Sequence, residues 1–188
     1  MNPLRNRPGS RRGALAVTMA LPLLLTGCSK DVKDDLAHKT PPPTLSVDKA
    51  REKAGSLSSQ ILDMIAIKDG KVTEPGPGIS TCDEDPGHLY KTRHPWSIYQ
   101  VAPEELKAGF QRLREALPGH GWKIVDYGPD SSPNKNLELT ADSQTERFSV
   151  NASLQITGDS GKKEPLLVVT VVSGCFKAPK GEDLNTEY

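Results

Sequence analysis

Residues 148–156 narrow the choice of fold more than any other stretch. Phe148, Val150, Ala152, Leu154 and Ile156 alternate with Ser149, Asn151, Ser153 and Gln155. A period of two places the sets on opposite faces of a strand, so this strand has one buried and one wet face. Residues 166–172 are apolar except at Thr170, as in a central strand covered on both faces. Residues 122–127, set between Gly121 and Gly128, and residues 136–141, with Leu137 and Leu139 on one face, predict two more strands. Residues 96–101 predict a fifth. Polar turns at 142–145 and 157–164 fit antiparallel hairpins.

Two stretches carry the helical period instead. After Ser46, a good N-cap residue, Val47, Ala50, Ala54, Leu57, Ile61 and Met64 recur at spacings of three and four, with Ile65 widening the stripe. Asp69-Gly70 is the expected stop. The stripe runs under three heptads, and its alanines suit close packing on a sheet better than a coiled-coil seam. Pro103 opens the second helix at its first turn, Glu104 and Glu105 favour the positive end of its dipole, and Leu106, Phe110, Leu113 and Leu117 form its buried face before Pro118-Gly119. Between the helices, residues 72–85 read as loop, because Glu74-Pro75-Gly76-Pro77-Gly78 opposes regular structure. The expected fold is α+β: two helices packed on one face of an antiparallel sheet of about five strands, one domain over residues 46–178, with a disordered tail at 179–188.

Leu25-Thr26-Gly27-Cys28 follows a twelve-residue uncharged run, residues 14–25, which itself follows Arg5, Arg7, Arg11 and Arg12. Positive flank, short apolar run and small-residue cleavage site describe a signal peptide over residues 1–27; spanning a bilayer takes about 20 apolar residues. The four-residue motif resembles the lipobox of bacterial lipoprotein precursors. The resemblance implies cleavage between Gly27 and Cys28, diacylglyceryl attachment at Cys28 and a permanent membrane link, since two or more acyl chains hold stably. Arg11-Arg12 raises twin-arginine export as an alternative to the ordinary route, although Ala14 stands where that signal usually has a bulky apolar residue. Residues 28–45, with mixed charges and Pro41-Pro42-Pro43, read as an extended tether reaching about 20–50 Å.

The chain balances 24 basic against 24 acidic residues. Losing residues 1–27 removes four arginines and no acid, leaving a net charge of −4. Nucleic acid demands a basic face and is not an expected partner. Electrostatic adhesion to anionic lipid is likewise disfavoured, which leaves the acyl chains as the membrane link. Three cysteines are an odd number for an exported chain. With Cys28 lipidated, Cys82 and Cys175 remain, and an oxidising compartment favours their pairing; two free thiols or half a metal site are the alternatives.

The sheet face away from the helices is the surface to watch. Ser149, Asn151, Ser153 and Gln155, with Asn136, Glu138 and Thr140, make it flat and polar. Residues 166–172 must also send one aliphatic set, either Leu167, Val169 and Val171 or Leu166, Val168 and Val172, to that side. The loop at 73–82 is the expected cover, with self-association or a bound acyl chain as the alternative.

Candidate chemistry is thin. Asp83, Glu84, Asp85 and His88, with His94 farther on, have the right atoms for weak divalent-metal binding but match no known loop spacing, so no metal and no cofactor is expected. Four histidines, at 38, 88, 94 and 120, accompany no Gly-x-Ser-x-Gly elbow. His120 reads as a polar turn residue, and at least one of Trp96 and Trp122 belongs in the core. No catalytic residue is assigned, and the chain is not expected to be an enzyme.

Cys82, His94-Pro95-Trp96, the helix at 110–117 followed by Gly121-Trp122, and Gly174-Cys175-Phe176 resemble features of small cell-envelope lipoproteins of high-GC Gram-positive bacteria. That resemblance implies a disulfide-bridged α+β domain and carries over no active-site residue. The function expected is that of an extracytoplasmic, membrane-anchored interaction or regulatory module with an envelope or sensor protein as partner. A small-ligand or lipid carrier is the alternative and requires a cavity of several hundred Å³. An envelope hydrolase comes last and requires His88, His94 or His120 beside a carboxylate or hydroxyl in a cleft.

Overall fold

The computed structural model describes residues 41–156 and 164–184. The expected signal peptide, Cys28, most of the tether and the 157–164 turn (Glu164 apart) lie outside them. Every helix and strand described lies within residues 40–188. Among the described residues no helix is long and apolar enough to cross a membrane.

The fold is α+β, with two helices against an antiparallel sheet. Helix α1 is Val47–Ile65 and helix α2 is Pro103–Ala116, followed by a 3-10 turn at Leu117–His120. The strands are β1 Lys71–Val72, β2 Gly78–Thr81, β3 Leu89–Tyr99, β4 Trp122–Pro129, β5 Leu137–Ser143, β6 Phe148–Gln155, β7 Leu166–Ser173 and β8 Phe176–Lys177. Six form the path β1-β3-β7-β6-β5-β4, and β2 and β8 both join β3. The five expected strands are β3 to β7, and β1, β2 and β8, of two to four residues each, join them; such short pieces show no period.

Strand β3 is the organiser and starts seven residues earlier than the sequence predicts. Its inward residues Tyr90, Thr92, Trp96 and Ile98 are all buried. Lys91, Arg93 and Pro95 on the other face hide that alternation. β1 and β2 share one edge of β3, and β7 and β8 share the other. Pro95 fits because it faces the gap between β1 and β2. Ser97, two residues on, turns its N–H to Thr73 Oγ1 at 2.9 Å and its C=O to the Thr73 N–H at 3.0 Å on that same edge. A missing N–H is tolerated where no neighbouring strand needs it.

The apolar helix faces land as the periodicity requires. Ala50, Ala54, Ile61 and Ile65 of α1 and Leu106, Phe110 and Leu113 of α2 are buried, and they share one core with Leu139, Val150, Ala152, Leu167, Val169 and Val171 of the sheet. Helix α1 ends at Ala66, not at Asp69-Gly70. Ala66 takes the left-handed conformation at φ 54°, and Arg112 of α2 holds the terminal carbonyls of Ile65 (2.8 Å) and Ala66 (3.4 Å). Gly70 answers a different need: a Cβ there would lie 2.5 Å from Val101 Cγ2.

The helix N-terminus also departs from expectation. Ser46 occupies the N-cap position but its side chain makes no capping bond. Glu182 supplies the acceptor for Val47 N–H instead. Residues 43–45, assigned to the tether by sequence, are joined to β8: Lys177 N–H donates to Pro43 O at 2.9 Å and Leu45 N–H to Lys177 O at 3.0 Å. The described part of the expected tail is likewise tied down, with Leu184 packed against the core. Tyr90 closes this junction by donating its hydroxyl to Leu45 O at 2.9 Å. Burial, with the Glu182 charge adding, pushes the Tyr90 phenol up to about 12.

Candidate functional site

Cys82 and Cys175 form a disulfide with their Cα atoms 6.4 Å apart. It ties the residue after β2 to the link between β7 and β8. The two-free-thiols and half-metal-site alternatives both fall with it. Among the described residues, the three possible metal ligands that converge are Cys82, Glu84 and Cys175, and sulfurs joined to each other are not the thiolates a metal binds. The acidic loop does not converge further. His88 Nδ1 bonds Asp85 Oδ1 at 2.9 Å in an exposed i,i+3 pair, Asp83 and Glu84 are exposed, and His94 is engaged elsewhere. His120 lines a shallow recess of about 240 Å³ with Asp63 and Met64.

The open sheet face is polar as predicted and knits itself together. Ser149 Oγ–H donates to Asp142 Oδ1 at 2.6 Å and Asn151 Nδ2–H to Thr140 Oγ1 at 3.1 Å. Ser153 is buried. Leu166, Val168 and Val172 are the aliphatic set on this face, each half-buried, whereas Leu167, Val169 and Val171 are in the core. The expected covering loop is not over them. Its first half lies beside α1, on the helix side of the sheet, and its second half is strand β2 in the plane of the sheet.

That displaced loop forms one wall of a recess. A cleft of about 430 Å³ lies between α1, residues 72–77 and β3. Leu62, Val72, Pro75, Pro77 and Trp96 give it apolar walls, and Ser58, Ser59, Thr73, Glu74 and His94 are its polar side chains. The volume falls within the range of small-molecule sites, about 300–1,000 Å³.

His94 is the hub of the cleft. Its Nδ1 is 2.8 Å from Ser58 Oγ and its Nε2 is 2.8 Å from Pro75 O. A carbonyl only accepts, so Nε2 carries a proton; in the neutral ring Nδ1 then accepts from the Ser58 hydroxyl. One side chain therefore ties α1, β3 and the Pro-Gly loop together. Hydroxyl, imidazole and orienting acceptor are also, in kind, the parts of an activated nucleophile. Ser58, however, is 4% exposed within the body of a helix, and its orienter is a neutral carbonyl.

One polar atom here is left over. Trp96 is 4% exposed, forms part of the wall, and its buried Nε1–H has no acceptor. A buried donor without a partner costs about 1–3 kcal/mol, and Arg51 Nε and Asn136 Oδ1 are in the same position elsewhere in the fold. Sequence placed Trp96 and His94 on or near a strand but did not single out Ser58. The available signal was a polar residue within the buried stripe, at helical spacing from Ala54, Ile61 and Ile65. Elsewhere the shifted titrations are structural: Asp130 is held below the usual carboxylate range, chiefly by the Ser132 hydroxyl, with Asn136 assisting.

No protein-family profile matches the chain, and no curated protein matches it. Among solved structures, the extracellular domain of PknH from Mycobacterium tuberculosis is similar over 67% of this chain and 86% of its own, at 10% sequence identity and a TM-score of 0.27. At that degree of likeness nothing about function passes from one to the other.

Proposed function

We propose that this chain is an extracytoplasmic module, held to a membrane by lipid on Cys28, that binds a small molecule without chemistry in the cleft between α1 and β3. The observation that carries the reading is the apolar-sided recess of binding-site volume between α1 and β3, whose imidazole, His94, is held in place by Ser58 and Pro75. The Cys82–Cys175 disulfide supports the compartment, because such bonds persist in oxidising surroundings and are rare in the cytosol. Ligand occupancy gives the module something to report to an envelope or sensor protein beside it. Two experiments test this. Cys28→Ser should release the protein from membranes or leave unprocessed precursor; mature-length product still in the membrane fraction defeats the anchor. A fragment library should yield compounds that saturably shift backbone resonances of residues 72–77, 94 and 96; a library that perturbs none of them defeats the cleft.

A second reading, an envelope hydrolase, draws on the Ser58–His94 bond at 2.8 Å. It meets the requirement of a histidine beside a hydroxyl in a cleft. A fluorophosphonate probe decides between the two: stable labelling of Ser58 favours hydrolysis, and an unlabelled protein that still binds fragments favours the first reading.

A further inference from the structure

A negative net charge disfavours adhesion to anionic lipid only where the charges are evenly spread, and the fold sorts them. Tyr90 and Thr92 of β3 are buried, so Lys91 and Arg93 point to the open face of the sheet, where both are exposed. Lys177 of β8 is exposed and stands opposite Leu89 on the same face. Arg147 completes the group. It precedes the buried Phe148 and so shares the open side with Ser149. Gly174 donates its N–H to Arg147 O at 2.8 Å, and a Cβ on Gly174 would lie 3.7 Å from Arg147 Nε. The Arg147 side chain therefore leans over a residue that has none, from β6 towards β3. Arg93 pairs with Val172, two residues before Gly174, on the strand between. Among the described residues, none of these four cations takes part in an ion pair or a side-chain hydrogen bond.

The acids of the open face lie on other strands. Glu138 and Asp142 are on β5 and Asp126 is on β4, and Asp142 is already engaged by the Ser149 hydroxyl. Glu146, next to Arg147, pairs with Lys53 of α1. Asp83, Glu84 and Asp85 stand in the loop that joins β2 to β3, past the ends of both strands. Their charge weakens the pull of this corner on an anion, so contact here needs the high local concentration that a tether supplies. The chain enters the domain at the same corner: Lys177 N–H donates to Pro43 O and Lys177 O accepts from Leu45 N–H. Residues 28–40 separate Cys28 from the described chain, and a stretch of that length spans at most about 45 Å. Guanidinium and ammonium groups suit phosphate, and each gains near an anionic leaflet. Resting on the lipid anchor proposed above, we infer that Lys91, Arg93, Arg147 and Lys177 form a docking surface for the anionic phospholipid headgroups of the membrane that holds Cys28, and lay this corner of the sheet against it.

The test places the mature, lipidated, uniformly ¹⁵N-labelled protein in nanodiscs that carry a gadolinium-chelating lipid. Discs of phosphatidylcholine alone are compared with discs that also contain phosphatidylglycerol. In the charged discs, paramagnetic broadening of the amides of Lys91, Arg93, Gly174 and Lys177 should exceed that of Val125 and Tyr127 on β4, which lies four inter-strand steps, about 19 Å, from β3. The difference should be lost in phosphatidylcholine discs. It should also be lost on raising the salt from about 0.1 M to about 1 M, which shortens the screening length from about 10 Å to about 3 Å. The triple variant Lys91→Gln, Arg93→Gln, Arg147→Gln should lose it while still co-eluting with the discs; the lipid and salt arms report on the wild-type protein should that variant fold poorly. Protein that does not co-elute with phosphatidylcholine discs defeats the anchor and the docking with it. Protein that co-elutes but broadens alike in both discs, or more at β4, defeats the docking alone. Resonances of this corner that move with soluble glycerol phosphate or polyglutamate and not with charged discs assign it to a free phosphate or an acidic polypeptide, and overturn the lipid.

Discussion

Glu182 Oε1 accepts the backbone N–H of Val47 at 2.7 Å across 135 residues of sequence. The C-terminal segment thereby caps the first helix, at the point where the chain enters the domain. An acidic acceptor at a helix N-terminus satisfies an orphan donor and opposes the positive end of the dipole. Glu182→Ala should lower stability by about 1 kcal/mol, the usual value of a lost N-cap. Glu182→Gln should recover part of that loss, because the bond survives while the charge does not. Urea unfolding of the three proteins checks the order, and equal stability of all three removes the cap.

Tyr90 senses the same junction. Its neutral phenol is the native form, held there by burial first and by the Glu182 charge second, with the ionisation raised from 10 to about 12. The sign follows from linkage. A group whose folded value lies above its unfolded value contributes fully below pH 10, and that contribution is lost as the pH rises from 10 through about 12. Absorbance titration should show one of the four tyrosines ionising about two units late, and Tyr90→Phe should remove that step. A titration with no late step, or a late step that persists in Tyr90→Phe, contradicts the assignment.

Where the sequence carried a period, it could be read. Residues 148–156 alternate because one face meets the core, and α1 shows its stripe because Ala50, Ala54 and Ile61 lie on the sheet; both appear in the fold as predicted. Strand β3 was half legible, since Lys91, Arg93 and Pro95 look outward and break the apolar run. The functional cleft was harder. Ser58 and His94 are 36 residues apart, and their meeting depends on α1 crossing β3. The third member, Pro75, contributes only a backbone carbonyl, which leaves no trace in residue identity. Glu182 as a cap was equally invisible, because local reasoning looks for the acceptor at Ser46.

The Cys82–Cys175 bond closes a loop with a sequence separation of 93. Cross-linking a loop of that length should stabilise by about 4.6 kcal/mol in the chain-entropy model. Reduction, or the paired Cys82→Ala and Cys175→Ala exchange, should therefore move the urea midpoint down by a large fraction of the total stability of a small domain, about 5–15 kcal/mol. Non-reducing peptide mapping should recover the two cysteines in one cross-linked fragment. Free thiols on both in freshly isolated protein, or a midpoint unchanged by reductant, count against the pairing.

The Ser58–His94–Pro75 relay makes a prediction about coupling as well as loss. His94→Ala deletes two hydrogen bonds at once and leaves Ser58 buried without its acceptor; Ser58→Ala leaves Nδ1 unpaired but keeps the bond to Pro75 O. The Ser58 hydroxyl, 4% exposed, costs about 1–3 kcal/mol when left unpaired; His94 is only half-buried, so its unpaired Nδ1 costs less. Once His94 is gone, removing the Ser58 hydroxyl also removes an unsatisfied group, so the double variant should be no less stable than His94→Ala alone. A double-mutant cycle should report an interaction of about 1 kcal/mol or more, in the range found for residues in one hydrogen-bond network. Hydrogen exchange separates the two halves of the relay: the amides of Glu74 and Gly76, which flank Pro75, should exchange faster in His94→Ala, which frees the loop, and keep their rates in Ser58→Ala, which does not. Additive losses in the cycle would mean that the two side chains act independently, and unchanged protection of the loop in His94→Ala would mean that the Pro-Gly segment is held by its own turns and by β2 rather than by the imidazole.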